Sequence, residues 1–400
     1  MQHELALGLL AIGVTSLLFS FVMHGCLLVV RGRARTSGPT PPVSVLKPLK
    51  GADAELYANL ASLAAQDYPD FELVLGAEDT MDPALAVGRR LKRDFPHVRI
   101  TIVAGGRPIG HNPKVNNLVQ LSRAARHDWM LVSDADVRVD PSYLRAMAAE
   151  TADPRVGLVS SMIANAGEKS FGSTFDSLHM NGFVAAVVSA ADVLAGHPCV
   201  VGKSMLIRKS DLARLGGLEV VKDVLAEDYV LGQVYHHAGF KVVLSGHPVR
   251  AVSVDRTVES FFDRHVRWGQ MRRHIAPWHH LGEPLLVPTP WILAATLLVL
   301  GSGRASSQHV EGIVLAVSAL AMVARCSSDA LQTRALRGKA PDFMDIPLIP
   351  IKDLVVTLAW AVSAVKSTVQ WRGNAMRIGQ GSVLSPVPAS SRAHARSQAH

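Results

Sequence analysis

Asp128-Trp129-Met130-Leu131-Val132-Ser133-Asp134-Ala135-Asp136 sets four apolar residues directly ahead of two carboxylates spaced two apart. A short unbroken apolar run predicts a strand buried within a sheet. The acids then fall at its C-terminal end, the edge where open α/β sheets gather ligands. Outward from it, Val43-Ser44-Val45-Leu46 reads as another apolar strand, followed by the breaker-rich loop Lys47-Pro48-Leu49-Lys50-Gly51. Apolar spacing at Leu56, Leu60, Leu63 and Ala64 predicts a helix over 53–66. Phe71 to Gly76 is a strand ending at Glu78-Asp79, Pro83 to Arg93 a helix with proline at an N1-like position, and His97 to Val103 a further strand. Strand and helix alternating at this spacing predict an α/β fold with a mixed, mostly parallel sheet flanked by crossover helices. Asp79 and Asp134 both fall at strand ends.

The chain is 48% hydrophobic and only 18% charged, and the apolar excess is localised. Residues 5–30 form a run long enough to cross a bilayer. Arg31, Arg33 and Arg35 follow it and no Lys or Arg precedes it, which favours an anchor over a cleaved signal peptide and places the following chain in the cytoplasm. A cytosolic domain over 36–283 is expected next, then a membrane region over 284–370 and a basic, disordered tail over 371–400. In that membrane region Pro284–Gly301 and Ile313–Val323 read as a hairpin, and Arg325, Arg334, Arg337 and Lys339 as a basic loop. Ile346–Val365, broken by Pro347, Pro350, Lys352 and Asp353, reads as re-entrant or interfacial.

The net charge of +8 comes without aromatic-basic interleaving or a recognition motif, so no nucleic-acid partner is expected. Arg123, Arg126, Arg264, Arg267, Arg272 and Arg273 are expected to face anionic headgroups, with a few holding phosphate. Cys26, Cys199 and Cys326 show neither pairing nor metal spacing. The His-rich stretch around Trp278, His279 and His280 reads as an interfacial anchor, not a zinc site. Gly105-Gly106-Arg107-Pro108-Ile109-Gly110 is followed by His111-Asn112 where a phosphate-binding P-loop needs Lys-Ser/Thr.

Three patches carry chemistry. Asp134 and Asp136 form a carboxylate pair suited to Mg²⁺ or Mn²⁺, because hard cations take oxygen ligands and share them with substrate phosphates. Asp-x-Asp alone is a common string, and its weight comes from the strand before it and the patches after it. Asp228, in Leu225-Ala226-Glu227-Asp228-Tyr229-Val230-Leu231, places an acid at the edge of an apolar segment, where desolvation raises basicity; helix capping by either acid is the competing reading. In Arg264-His265-Val266-Arg267-Trp268, Arg267 suits a diphosphate and Trp268 a sugar or lipid face, against the alternative of a basic amphipathic surface helix. Lys114 is a phosphate or base contact or an ordinary exposed lysine, and Asp79 a nucleotide contact or the start of a turn.

Val45-Leu46-Lys47-Pro48-Leu49-Lys50-Gly51, Asp82-Pro83-Ala84, Asn112-Pro113-Lys114-Val115-Asn116-Asn117-Leu118, Ala226-Glu227-Asp228-Tyr229 and Arg264-x-x-Arg267-Trp268 together resemble the ceramide glucosyltransferases. These are membrane-bound inverting glycosyltransferases of GT-A fold, and the resemblance runs from Val43 to Trp268. It implies that Asp79 contacts the uridine, Asp134 serves the metal and diphosphate, and Asp228 is the base. It also implies that Arg264, Arg267 and Trp268 form the substrate-binding Gln/Arg-x-x-Arg-Trp signature. Asp136 departs from the animal ceramide enzymes, agrees with the wider Asp-x-Asp pattern and suggests a bacterial relative. The expectation is therefore an inner-membrane enzyme moving a hexose, glucose by resemblance, from a UDP-sugar to ceramide with inversion. Transfer of N-acetylglucosamine to a hopanoid, a processive polysaccharide synthase and an inactive membrane scaffold are the alternatives.

Overall fold

The computed structural model describes residues 2–197, 199–301, 308–371 and 374–387. Its contacts divide the chain into two units, along other lines than the 36–283 boundary drawn from sequence. The helical unit comprises Met1–Val29, Ala164–Ala195 and Ser253–Val365; the sheet unit comprises Val30–Ile163, Gly196–Val252 and Lys366–His400.

The main sheet has eight strands: β1 (Val43–Pro48), β2 (Phe71–Ala77), β3 (Arg99–Ala104), β4 (Trp129–Ser133), β5 (Val137–Arg138), β6 (Val156–Ala166), β7 (Ser204–Arg208) and β8 (Lys241–Val252). Their order is β3-β2-β1-β4-β7-β6-β8-β5. The first four are parallel, as the strand–helix alternation predicts. β7 runs antiparallel to both β4 and β6. β1 and β4 are buried along their whole length, which is why apolar residues dominate both. Leu46, Val74, Met130, Val132, Met205 and Ile207 form one core with Leu118 and Leu121 of the helix Pro113–Ala124. That helix lies so close to the sheet that a Cβ at Gly76 would stand 2.6 Å from Leu121 Cδ2.

The Asn112–Leu118 string is legible residue by residue. Asn112 caps the helix by accepting from Val115 N at 3.1 Å, and Pro113 occupies the first turn, where no N–H is needed. Asn116 Oδ1 accepts from Ile109 N and Gly110 N at 2.9 and 3.0 Å and shapes the preceding glycine loop. Asn117 Nδ2 donates to Gly76 O at 2.7 Å.

Residues expected in a disordered tail are instead ordered. β9 (Thr368–Trp371), β10 (Asn374–Ile378) and β11 (Leu384–Pro386) form an antiparallel sheet in the order β11-β10-β9. Buried Val369, Ile378 and Leu384 give this polar stretch an apolar side that composition hides. Residues 372–373 and 388–400 of that expected tail lie outside the described residues.

In the helical unit, Gln2–Gly32, Phe171–Ala195, Gln308–Arg337 and Leu348–Val365 are long and apolar enough to cross a membrane; Pro277–Leu286 and Pro288–Leu300 form a pair bent by 52°. The N-terminal span and the apolar C-terminal helices match expectation and make this a membrane protein. Phe171–Ala195 does not, because sequence reading placed it in the cytosolic domain. Its apolar character is masked by Ser173, Asp176, His179 and Asn181, all buried, and by a wide π-type turn at Met180–Val184. The basic loop also fails as drawn: Arg325 and Arg334 lie within the helix Gln308–Arg337. Leu348–Val365 is continuous because Pro350 sits in its first turn, where the missing N–H costs no intrahelical bond, and because Lys352 and Asp353 pair with each other.

Candidate active site

The site grows from the C-terminal edge of the parallel strands. Asp134 follows β4 directly, its N–H donating to Lys203 O at 3.1 Å, and its side chain meets Lys114 Nζ at 2.8 Å and Lys203 Nζ at 3.5 Å. Burial alone would push this carboxyl up. Lys114, Lys203 and Lys47 overcome that and hold it well below the usual carboxylate range. Asp136 is gripped through both oxygens by Lys203 Nζ, at 2.7 and 2.5 Å.

Lys114 joins the strand end to the third acidic patch. Besides Asp134, its Nζ contacts Glu227 at 2.9 Å and donates to Gly202 O at 3.3 Å. Burial pulls its pKa down, but Asp134, Glu227 and Asp228 more than offset this and raise it. The alternative of an ordinary exposed lysine is overturned: Lys114 is 7% exposed.

Glu227 and Asp228 occupy the first turn of the helix Glu227–His237; the capping position itself is Ala226, which provides no side-chain cap. Their placement suits the positive end of a helix. Asp228 Oδ2 accepts from Gly202 N at 2.5 Å, and Oδ1 from Tyr229 N at 2.8 Å. Gly202 is required for this approach, since a Cβ there would stand 2.6 Å from Asp228 Oδ2. Burial, reinforced by the like charge of Glu227, pushes Asp228 up to about 6 against Lys114 and the two N–H donors. A half-buried carboxylate tuned toward neutrality is the kind of group that takes a proton at working pH.

Two lysines escaped the sequence reading. Lys203, in Val201-Gly202-Lys203-Ser204, carried no signal beyond its place just before β7. Lys47, which sequence places in a loop, lies in β1 and is fully buried; its Nζ donates to Asp134 O at 2.5 Å and lies 3.3 Å from Ser133 Oγ. Burial draws Lys47 down to about 7, against the attraction of Asp136 and Asp134. Asp79 is exposed after β2, its Oδ1 accepting from Met81 N at 2.8 Å in a tight turn. It shares the sheet edge with Asp134 and takes no part in the lysine–carboxylate cluster.

The Arg-x-x-Arg-Trp residues lie in the helical unit, on Val258–Ile275. Arg264 is not a surface arginine: it is 8% exposed and donates to both oxygens of Asp176, at 3.1 and 2.8 Å. Its guanidinium also lies 4.3 Å from the centroid of the Trp268 ring. Arg267 is drawn down to about 10 by burial and by Arg264 and Arg256, with Asp263 opposing.

Asp134 and Asp136 suit a divalent cation. Among the described residues no three His, Cys, Asp or Glu side chains converge as a metal cage. A cation shared with phosphate oxygens needs only one or two protein carboxylates, so the pair is compatible with Mg²⁺ or Mn²⁺. The Lys203 ammonium lies 3.5 Å from Asp134 and 2.5 Å from Asp136.

A mixed sheet whose first four strands are parallel, with an Asp-x-Asp pair at their C-terminal edge and two acids opening a later helix, is the arrangement of the GT-A fold. The chain belongs to glycosyl transferase family 21, whose model matches residues 8–384. Ceramide glucosyltransferase 1 of Caenorhabditis elegans is 33% identical over 264 residues, covering 65% of this chain and 56% of that protein. Ceramide glucosyltransferase 3 of the same organism is 26% identical over 363 residues, covering 88% of this chain and 76% of that protein. The chain thus spans little more than half the length of the first relative. Among solved structures, the mannosyltransferase PcManGT from Pyrobaculum calidifontis, in complex with GDP-Man and Mn²⁺, superposes with a TM-score of 0.57. It is 17% identical and covers 90% of this chain and 98% of that one, a likeness of fold.

Proposed function

We propose that this protein transfers a hexose, glucose by family likeness, from a UDP-sugar to the hydroxyl of a membrane lipid, with ceramide as the acceptor, and with inversion. The observation that carries the reading is the Asp228 carboxylate, held by Gly202 N at 2.5 Å next to Lys114, the lysine that bonds Gly202 O and Asp134.

Asp228 takes the proton of the acceptor hydroxyl as that oxygen attacks the anomeric carbon from the face opposite the UDP leaving group. One-step displacement with a single base inverts the configuration. Asp134 and Asp136 would hold Mg²⁺ or Mn²⁺, which neutralises the diphosphate when bound. Lys114 keeps Asp134 ionised and adds positive charge at the sheet edge, where leaving-group charge develops. Asp79 is proposed to contact the nucleoside, and Arg267 and Trp268 to bind anion and acceptor. Arg264, already engaged by Asp176, is proposed to orient Trp268. The sheet unit is proposed to face the cytoplasm at a bacterial inner membrane, because Arg31, Arg33 and Arg35 follow the first span.

The test is glycolipid mass spectrometry on cells expressing the intact chain or Asp228→Asn, in a host that contains ceramide, hopanoids and UDP-sugars. A hexosylceramide made only by the intact chain is the expected result. An N-acetylhexosaminyl hopanoid would keep the mechanism and replace the acceptor. No new glycolipid would overturn the proposal in favour of a polymer synthase or scaffold.

A further inference from the structure

The helix carrying Asp228 is anchored by a segment more than 150 residues further along the chain. Leu225 N donates to Ser382 O at 2.9 Å, and Ala226 N donates to Ser382 Oγ at 3.0 Å. Leu384 N donates to Asp223 O at 2.7 Å, and Val224 and Val383 form an antiparallel bridge. Leu225 and the capping residue Ala226 lead into the helix with no side-chain cap, and Ser382 supplies the acceptors for their N–H groups.

Ser382 is built for this position. It is fully buried, and its φ of +64° is the one left-handed value of a non-glycine residue among the described residues. A side chain in that region is strained unless the surroundings hold it there. Gly381, at φ +65°, makes the turn that brings Ser382 under the helix. From the other side the same loop is held by the Asn112 string: Asn112 Nδ2 donates to Val224 O at 2.6 Å and His111 N to Asp223 Oδ1 at 2.7 Å. The segment before Asp228 is therefore clamped twice. The carboxylate itself is held by Gly202 N, and Ser382 holds the backbone two residues before it, at Ala226 N.

We infer that Ser382 is a positioning residue for Asp228, and that the 380–384 turn completes the active site by fixing the first turn of the helix Glu227–His237. This rests on the reading of Asp228 as the base. In the full-length protein, Ser382→Ala is expected to lower kcat about 10- to 100-fold, the scale of a misplaced catalytic group, with the Kd for UDP within about twofold. Ser382→Asn keeps an acceptor and tolerates positive φ, so it is expected to recover most of the rate. Ser382→Gly suits the backbone but lacks the acceptor, so it is expected to behave like Ser382→Ala; it is also the variant to read if Ser382→Ala is not recovered folded.

Wild-type kcat in Ser382→Gly, or equal loss of kcat and UDP affinity in Ser382→Ala with no rescue by Ser382→Asn, would overturn the inference. Asp228→Asn assayed alongside separates the two claims. If it abolishes transfer while the Ser382 variants do not slow it, only the positioning role falls. If it retains turnover, the base assignment itself falls.

Discussion

Two clusters in this molecule contain the same ingredients, two carboxylates and two cations, and differ in their access to water. In the sheet unit Lys114, Asp134, Lys203 and Asp136 have side chains 9%, 25%, 15% and 33% exposed. In the helical unit Arg325, Asp329, Lys352 and Asp353 are 2%, 0%, 0% and 3% exposed. Arg325 pairs with Asp329 and reaches Asp353 at 3.3 Å, Lys352 meets Asp353 at 2.5 Å, and Thr289 Oγ1 donates to the same carboxylate at 2.6 Å. The buried cluster joins three apolar helices and consumes its charges internally. The open cluster leaves its acids and lysines within reach of water. Each cluster balances two aspartates with two cations, and solvent access is the physical difference between them.

The largest expected effect tests the buried side. Arg325→Met leaves two acids facing one lysine inside the helices, and breaking a buried network this way costs about 3–5 kcal/mol. Thermal unfolding in detergent is expected to show a sharply lowered midpoint; an unchanged midpoint would mean that water reaches the cluster and that the contrast is false. A smaller effect tests the open side. Lys203→Met removes the ammonium that occupies Asp136, so Mn²⁺ binding, followed by electron paramagnetic resonance, is expected to tighten about tenfold, equivalent to roughly 1.4 kcal/mol. Unchanged or weaker Mn²⁺ binding would show that Lys203 does not compete for the carboxylates.

The parallel half of the sheet was legible because β1, β2 and β4 are buried and their helices carry apolar periodicity. Asp134, Asp136, Lys114 and Asp228 were legible because each stands beside an apolar or motif-bearing stretch. What the sequence concealed follows physical lines. Lys203 is an acid's partner only across β4 and β7, an antiparallel pairing that no local pattern announces. Ser382 acts through backbone N–H groups of a distant loop, and polar residues around it made the segment read as disordered. Phe171–Ala195 hides an apolar span because its polar residues find partners outside it: Asp176 takes Arg264 and Arg256, and Asn181 Oδ1 accepts from Asn165 N at 2.7 Å. Arg264 pairs with Asp176, 88 residues away in sequence, a partner that no local pattern announces.

The central claim is that Asp228 is a general base tuned by burial, and the most direct measurement is the pH–rate profile of transfer, with UDP binding measured in parallel on wild type and Asp228→Asn. A base must be ionised to act, so the wild-type rate is expected to be level above its pKa. It should fall about tenfold per pH unit as pH drops below about 6. Asp228→Asn is expected to lose about 10²- to 10⁴-fold in rate, to lack that acid limb and to bind UDP as wild type does. A variant that keeps the limb, or that loses UDP binding in step with turnover, would contradict the account.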